Sequence, residues 1–189
     1  LSEKTVASIQ SSNISIPSPP ILELPETVLQ FGTGVTLRGL PDHYIDKANK
    51  SGAYHGRVII IKSTGKGEID AFEKQDGLYT HCIRGIANGE VLQQNIINAS
   101  VSRVLSAGHH WQAILDCAAN PSIELIISNT TEVGLVLLNN DNVDAQPPVS
   151  FPGKLLALLR HRYKVFNGAI DKGLVIVPTE LITDNGKLL

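Results

Sequence analysis

The sequence predicts an α/β protein: a doubly wound, mostly parallel sheet with helices on both faces, plus an irregular N-terminal arm. Two observations predict this fold. Short, unbroken apolar runs alternate with amphipathic segments along the chain, which is typical of parallel strands joined by crossover helices. Gly, Pro and Asn residues also mark most of the boundaries between these segments, as expected of turns.

Composition narrows the functions that the chain can have. Its 189 residues are 42% apolar and 18% charged, which suits one globular domain with a sizeable core. The net charge of -2 comes from mixed signs and gives no basic surface for nucleic acid. No apolar run reaches the roughly 18 residues that cross a bilayer, and Cys82 and Cys117 are isolated. We therefore expect a cytoplasmic protein without nucleic-acid or membrane partners.

The chain changes character at about residue 26. The stretch SSNISIPSPPILELPE within residues 1–26 contains four prolines, and the fixed φ angle of proline opposes a regular helix there. We expect residues 1–26 to form an extended arm and residues 27–189 to form the α/β domain.

The elements of this domain can be assigned in chain order. Buried strands are expected at 27–32, 57–62, 123–128 and 173–180, and helices at 35 to about 50 (broken near Pro41), over HHWQAILDCAA, and after a Ser150 cap. LYTHCIRGI and VLQQNIINASVSRVL alternate like a hairpin-like excursion, and STGKGEIDAF is expected to be a polar loop.

A glycine turn, Gly32-Thr33-Gly34, follows the first strand. Gly32 permits a tight turn, and Gly34 lets a pyrophosphate approach the backbone. Leu37 replaces the third glycine of G-x-G-x-x-G, so a purely structural turn is the alternative. Residues 27–189 are accordingly expected to be a Rossmann-like dinucleotide-binding domain. Arg38 would either reach a phosphate or lie on the surface.

The end of the second strand bears on the choice of cofactor. Rossmann domains that bind NAD have an acid there, which holds the ribose hydroxyls, but this chain has Lys62. Lys62 would either contact the 2′-phosphate of NADP or point into solvent. The residues alone leave NAD and NADP open.

Several longer motifs carry a family resemblance. They are QFGTGVTLRGL, QDGLYT, SNTTEVG, SFPGKLLALL and FNGAIDKGLVIVPTELITDNG. From Gln30 to the C-terminus, the chain resembles the polyol-specific long-chain dehydrogenases, which include mannitol dehydrogenase and the uronate reductases, and it is most similar to the uronate branch. The resemblance implies NAD as cofactor and the interconversion of tagaturonate and altronate, with fructuronate or a polyol as alternative substrates.

The resemblance also implies a separate catalytic domain. In the family, a lysine within a K-x-x-x-x-N-x-x-H motif of a helical C-terminal domain acts as the acid/base. That spacing does not occur in this chain. We therefore expect no catalytic residue here, a partner in the protein's own C-terminal domain, and no activity from this portion alone.

Individual cofactor-binding residues follow from the same resemblance. The glycine turn matches the family's phosphate turn, and Asn129 and Thr130 of SNTTEVG are expected to face the nicotinamide ribose. Glu132 would either join them or meet the dipole of a helix start. Asp76 in QDGLYT is expected either to approach the cofactor or to cap the turn before Gly77.

Substrate contacts are expected after the last strand, at Glu180 and Asn185. Mannitol dehydrogenase relatives have an asparagine that binds the substrate oxyanion where this chain has Leu181. Because leucine cannot donate a hydrogen bond, this difference fits the uronate branch better.

Other function classes are weaker interpretations of the same residues. A non-catalytic nucleotide-sensing module and a methyltransferase-like domain share the fold. No metal site is expected, because His109, His110 and Cys117 lack the spacing of a zinc site. The basic cluster at 160–164 is expected to close the long helix in solvent.

Overall fold

The structure is a computed structural model that describes residues 1–64, 70–130, 132–136 and 138–189, apart from the side chains of Asp70, Glu132 and Val133. The strands are β1 (Ile14–Ser15), β2 (Glu26–Phe31), β3 (Arg57–Lys62), β4 (Tyr79–Ala87), β5 (Glu90–Asn98), β6 (Val101–Ser106), β7 (Leu125–Ser128) and β8 (Val175–Pro178). The α-helices are α1 (Glu3–Val6), α2 (Pro19–Leu22), α3 (Val35–Gly39), α4 (Pro41–Ser51), α5 (Asp70–Glu73), α6 (Trp111–Ala118), α7 (Phe151–Val165) and α8 (Asn185–Leu188). None of the described helices has the length and apolar character that a membrane span requires.

Five strands form the main sheet in the order β6-β3-β2-β7-β8. The pairs β2–β7 and β7–β8 are parallel. The Arg57 amide donates to the Pro25 carbonyl, and the Gly32 amide donates to the Ile61 carbonyl. Residue numbers therefore rise in the same direction along both strands, so β3 also runs parallel to β2. Counted along the chain, the strand order is 3-2-1-4-5, as in a Rossmann sheet. The predicted fold class is confirmed.

The chain forms two compact units. The first comprises Leu1–Glu26, Val35–Val58 and Glu68–Val104, and the second comprises Thr27–Gly34, Ile59–Gly67 and Leu105–Leu189. In the first unit, β4 and β5 form the predicted hairpin, and β1 adds a parallel strand to it. A small core of Val6, Ile21, Leu78, Ile97 and Ala99 lies within this unit.

The N-terminal arm differs from the extended segment predicted for it. It contains two one-turn helices and a strand, and α2 begins with Pro19 and Pro20. Proline is tolerated in the first turn of a helix, because the amide it lacks would have no partner there. Several prolines therefore start a short helix here, although they would break a long one.

The core of the second unit packs one face of the sheet against α6 and α7. Leu29, Ile59 and Ile126 from the strands share a buried cluster with Ile114 of α6 and Leu158 of α7. The alternate strand residues are buried too. Such two-sided burial explains the unbroken apolar runs from which β2, β3 and β7 were predicted.

Two strands differ from prediction. The segment VSRVLS was assigned to the hairpin-like excursion, but it forms β6 of the main sheet. The last strand was predicted to be buried, yet β8 lies at the sheet edge, with Val175 63% and Val177 40% exposed. Periodicity does not distinguish a central strand from an edge strand when the residues are equally apolar. The break in the first helix is confirmed, because α4 starts at Pro41.

Arg162 of α7 is the main correction to the predicted basic cluster. It is 4% exposed rather than solvated. Its guanidinium donates to the carbonyl oxygens of Ala118, Asn120 and Ile123 at 2.9–3.0 Å and to that of Lys172 at 2.6 Å. A single planar cation thus joins the end of α6, the approach to β7 and the turn that precedes β8.

Replacing this guanidinium should cost more stability than replacing its neighbour. We expect Arg162→Met to lower the free energy of unfolding by about 3 kcal/mol or more, because buried carbonyl groups lose their donor. Arg160→Met on the same helix removes an exposed ion pair with Asp144 and should cost less than about 1 kcal/mol. Urea denaturation followed by circular dichroism measures both, and equal losses would contradict the assignment.

Candidate functional site

Two adjacent strands end side by side where the strand order reverses. In the register of β2 and β7, Phe31 pairs with Ser128, and the Asn129 amide donates to the Phe31 carbonyl at 3.1 Å. Gly32 and Asn129 are therefore neighbours just beyond the carboxyl ends of their strands. In open α/β sheets, ligands bind at this position.

The glycine turn leaves space over its backbone. Gly32 has a φ of 128°, which favours glycine, and its amide donates to Ile61 O at 3.0 Å. A Cβ atom added at Gly34 would meet no heavy atom within 4 Å. The turn is thus anchored to β3 and open above Gly34, which fits a pyrophosphate against the backbone.

A cavity of about 440 Å³ opens at these strand ends and lies wholly within the second unit. Its volume is in the range of small-ligand and cofactor sites. It is lined by Gly32, Thr33, Gly34, Lys62, Ser63, Thr64, Asn129, Thr130, Gly134, Val136, Leu138, Val149, Ser150, Phe151 and Lys154. These described lining residues include two lysines and no carboxylate, so the cavity favours an anionic ligand.

The start of α7 forms one wall of the cavity. The Phe151 ring packs against the Phe31 ring with centroids 5.1 Å apart, which brings the first turn of α7 beside the glycine turn. The predicted cap is confirmed, because Ser150 Oγ accepts the Gly153 amide at 3.0 Å. Asp141 accepts the Ser150 hydroxyl and two backbone amides, and these hydrogen bonds lower the pKa of Asp141.

Lys154 is the buried cation of this wall. It is 4% exposed, and its Nζ donates to Val149 O at 2.6 Å. Burial lowers the pKa of Lys154 from its ordinary value, while the negative charge of Asp141 opposes that shift.

Polar side chains tie the ends of β7 and β8 together. Asn129 Nδ2 donates to the Thr179 carbonyl at 2.6 Å and to its hydroxyl at 3.1 Å. The amide and hydroxyl of Thr130 donate to Glu180 Oε1 at 3.0 and 3.2 Å. Asn185 Nδ2 donates to the carbonyl oxygens of Pro178 and Glu180. These bonds fix the backbone at 129–130 as a wall of the cavity.

The structure brings most of the predicted cofactor residues into one cavity: Gly32, Thr33, Gly34, Lys62, Asn129 and Thr130. It places two others in the first unit. The Arg38 guanidinium lies over the Phe72 and Tyr79 rings, 5.6 and 5.9 Å from their centroids. Asp76 has a φ of 52° and accepts the Glu3 amide at 2.9 Å. Their cofactor roles stay predictions.

The predicted substrate residues, Glu180 and Asn185, are engaged in the bonds that join β7 to β8. Glu180 is 3% exposed, and its Oε2 has no hydrogen-bond partner within the described part of the chain. Neither residue is among the described lining residues of the cavity. Their substrate roles stay predictions. Thr131 of the SNTTEVG motif and residues 65–69 of the predicted loop lie outside the described residues, as does the Glu132 side chain.

Sequence reasoning missed the contribution of α7. It assigned no role to Lys154, because a single lysine in a sequence gives no sign of burial. The usable signal was its position one turn after a serine cap, on the helix that follows the third predicted strand. Among the described residues, no three His, Cys, Asp or Glu side chains are grouped so that they could hold a metal ion.

Comparisons with known proteins agree with this geometry. Residues 26–189 match the family model described as the mannitol dehydrogenase Rossmann domain. The chain is 45% identical over 168 residues to an altronate oxidoreductase of Halalkalibacterium halodurans, covering 88% of this chain and 33% of that protein. It is 39% identical over 167 residues to an altronate oxidoreductase of Bacillus subtilis, covering 88% and 35%.

A solved structure shares the fold. Mannitol 2-dehydrogenase of Pseudomonas fluorescens, in a ternary complex with NAD and D-mannitol, superposes with a TM-score of 0.81 at 17% identity. The match covers all of this chain and 40% of the other. Against the two altronate oxidoreductases, the chain spans about a third of the length of each.

The Thr130–Glu180 contact gives a stability prediction. Glu180→Ala removes the acceptor of a backbone amide and a hydroxyl, so we expect the free energy of unfolding to fall by about 2 kcal/mol. Glu180→Gln keeps an oxygen at Oε1 and changes only the atom that lacks a partner, so it should cost less than about 1 kcal/mol. Thermal and urea unfolding measure both. Equal damage by the two variants would show that the charge, rather than the acceptor, is what matters.

Proposed function

Because this chain belongs to the mannitol dehydrogenase family, whose Rossmann domain it carries, we propose that it is the NAD-binding domain of an altronate oxidoreductase. The proposed reaction is hydride transfer between NAD(H) and the tagaturonate–altronate pair. Relatives at 39–45% identity that bear the name altronate oxidoreductase support this substrate. The remaining two thirds of such a protein would supply the substrate pocket and the catalytic acid.

One observation carries the cofactor assignment: the glycine turn and the Asn129–Thr130 backbone line one cavity at the strand-order reversal. The open backbone at Gly34 would hold the pyrophosphate by its amides, without a side chain intervening. The cavity's lysines would complement the phosphate charge, and its apolar Val136 and Leu138 would contact uncharged parts of the dinucleotide.

The chain's part in catalysis is to position the cofactor. When bound, the nicotinamide supplies or accepts the hydride. The bonds from Asn129 to Thr179 and from Thr130 to Glu180 hold the wall at 129–130 rigid. Rigid placement of the reacting ring contributes to the rate, because it removes the need to orient it during the reaction. The acid that protonates the substrate oxygen is assigned to the catalytic domain, because the family resemblance implies an acid/base lysine there.

NAD is the proposed cofactor rather than NADP. The family resemblance and the NAD complex of the mannitol 2-dehydrogenase support NAD, whereas Lys62, which lines the cavity at the end of β3, would suit a 2′-phosphate.

Blocking the glycine turn should weaken cofactor binding without unfolding the domain. Gly34→Val adds side-chain atoms where the chain leaves open space, so the fold should persist while the pyrophosphate is displaced. Steric overlap costs about 1–3 kcal/mol, and each 1.4 kcal/mol is about tenfold in affinity. We expect NADH affinity to fall about tenfold or more by calorimetry.

Gly108→Val is the matched control for this experiment. Gly108 also has no heavy atom within 4 Å of an added Cβ, and it lies in the same unit but is not among the described lining residues. This variant should bind NADH like the wild type. Equal binding by Gly34→Val and the wild type would overturn the assignment of the turn.

A further inference from the structure

We propose that Lys154 binds a phosphate group of the dinucleotide, so that the first turn of α7 is a second phosphate-binding element opposite the glycine turn. This inference rests on the proposed cofactor function and extends it to a residue outside the glycine-turn motif. The shared chemistry is a phosphate oxygen, which a dinucleotide offers in its pyrophosphate and, in NADPH, in its 2′-phosphate.

The first observation is the incomplete set of partners of the Lys154 ammonium. An ammonium group has three N–H donors, and within the described residues Lys154 Nζ makes a single hydrogen bond, to Val149 O. No described carboxylate lies within ion-pair distance of it. Asp141, the acid whose charge acts on Lys154, already accepts three hydrogen bonds from residues 149–150.

The second observation is that the charged form of Lys154 is disfavoured where it lies. Lys154 is 4% exposed, and burial lowers the pKa of its ammonium group, while the negative charge of Asp141 opposes this shift only in part. Lys154 also stands in the first turn of a 15-residue helix, where the macrodipole disfavours positive charge. An anion bound in the cavity would offset both effects.

The third observation is what Lys154 faces. It lines the same cavity as Gly32, Thr33 and Gly34, and the Phe31–Phe151 ring contact brings the two elements together. A phosphate between them would accept hydrogen bonds from the glycine-turn amides on one side and from the ammonium on the other. Charge-assisted hydrogen bonds of this kind are among the stronger ones in proteins.

The test compares ligands that differ in phosphate content. Calorimetry on the chain would use adenosine, ADP, NADH and NADPH with the wild type, Lys154→Met and Lys62→Met. We expect Lys154→Met to weaken ADP, NADH and NADPH by about tenfold or more and to leave adenosine unchanged. Lys62→Met, the matched removal of the other cavity lysine, should weaken NADPH at most. A loss in Lys154→Met confined to NADPH would overturn the proposal, because it would place the ammonium at the 2′-phosphate rather than opposite the glycine turn.

Two further results would overturn the inference. One is unchanged binding of all four ligands by Lys154→Met, and the other is an equal loss for adenosine, which would indicate a collapsed cavity. If the variant does not fold, the NMR signal of the Lys154 Cε in the wild type decides: ADP should shift it and adenosine should not, and no shift with ADP refutes the proposal. Failure of the wild type to bind NADH would instead count against the proposed function.

Discussion

The site depends on a single buried residue at the end of β2. The Phe31 carbonyl accepts the Asn129 amide, its ring packs on Phe151, and its chain continues directly into Gly32. Because a fully buried aromatic ring has little freedom to move, these contacts hold three segments at one edge of the sheet: the glycine turn, the residues after β7 and the first turn of α7. The segments come from distant parts of the chain, and parallel pairing of β2 with β7 is what makes their ends coincide.

Electrostatics then decide what this edge can hold. The described lining of the cavity contains two lysines and no carboxylate, and one of the lysines is buried at an energetic cost that an anion would offset. The polar groups after β7 and β8 are largely hydrogen-bonded to one another, since Asn129 donates to Thr179 and Thr130 donates to Glu180. Their role is to keep the wall rigid. Binding energy for a phosphate is left to the backbone amides of the turn and to the lysines.

The sequence was sufficient for the parts of the fold that local patterns determine. Short apolar runs predicted β2, β3 and β7, and a serine cap predicted the start of α7. Long-range placement was harder. The segment that forms β6 alternates like a hairpin strand, and whether β8 is central or at an edge depends on its partners. Arg162 and Lys154 appear in the sequence as surface cations, and only tertiary packing buries them. The glycine turn was found because its chemistry is local, whereas the α7 wall is assembled by contact with Phe31.

An amide NMR titration of the chain with NADH tests the central claim most directly, because it locates the ligand without any substitution. The account predicts the largest shifts in the amides of Gly32, Thr33 and Gly34, with further shifts at 62–64, at 129–130 and in the first turn of α7. It predicts smaller shifts in the β4–β5 hairpin of the first unit. Shifts concentrated in that hairpin, with the glycine turn unaffected, would contradict the account.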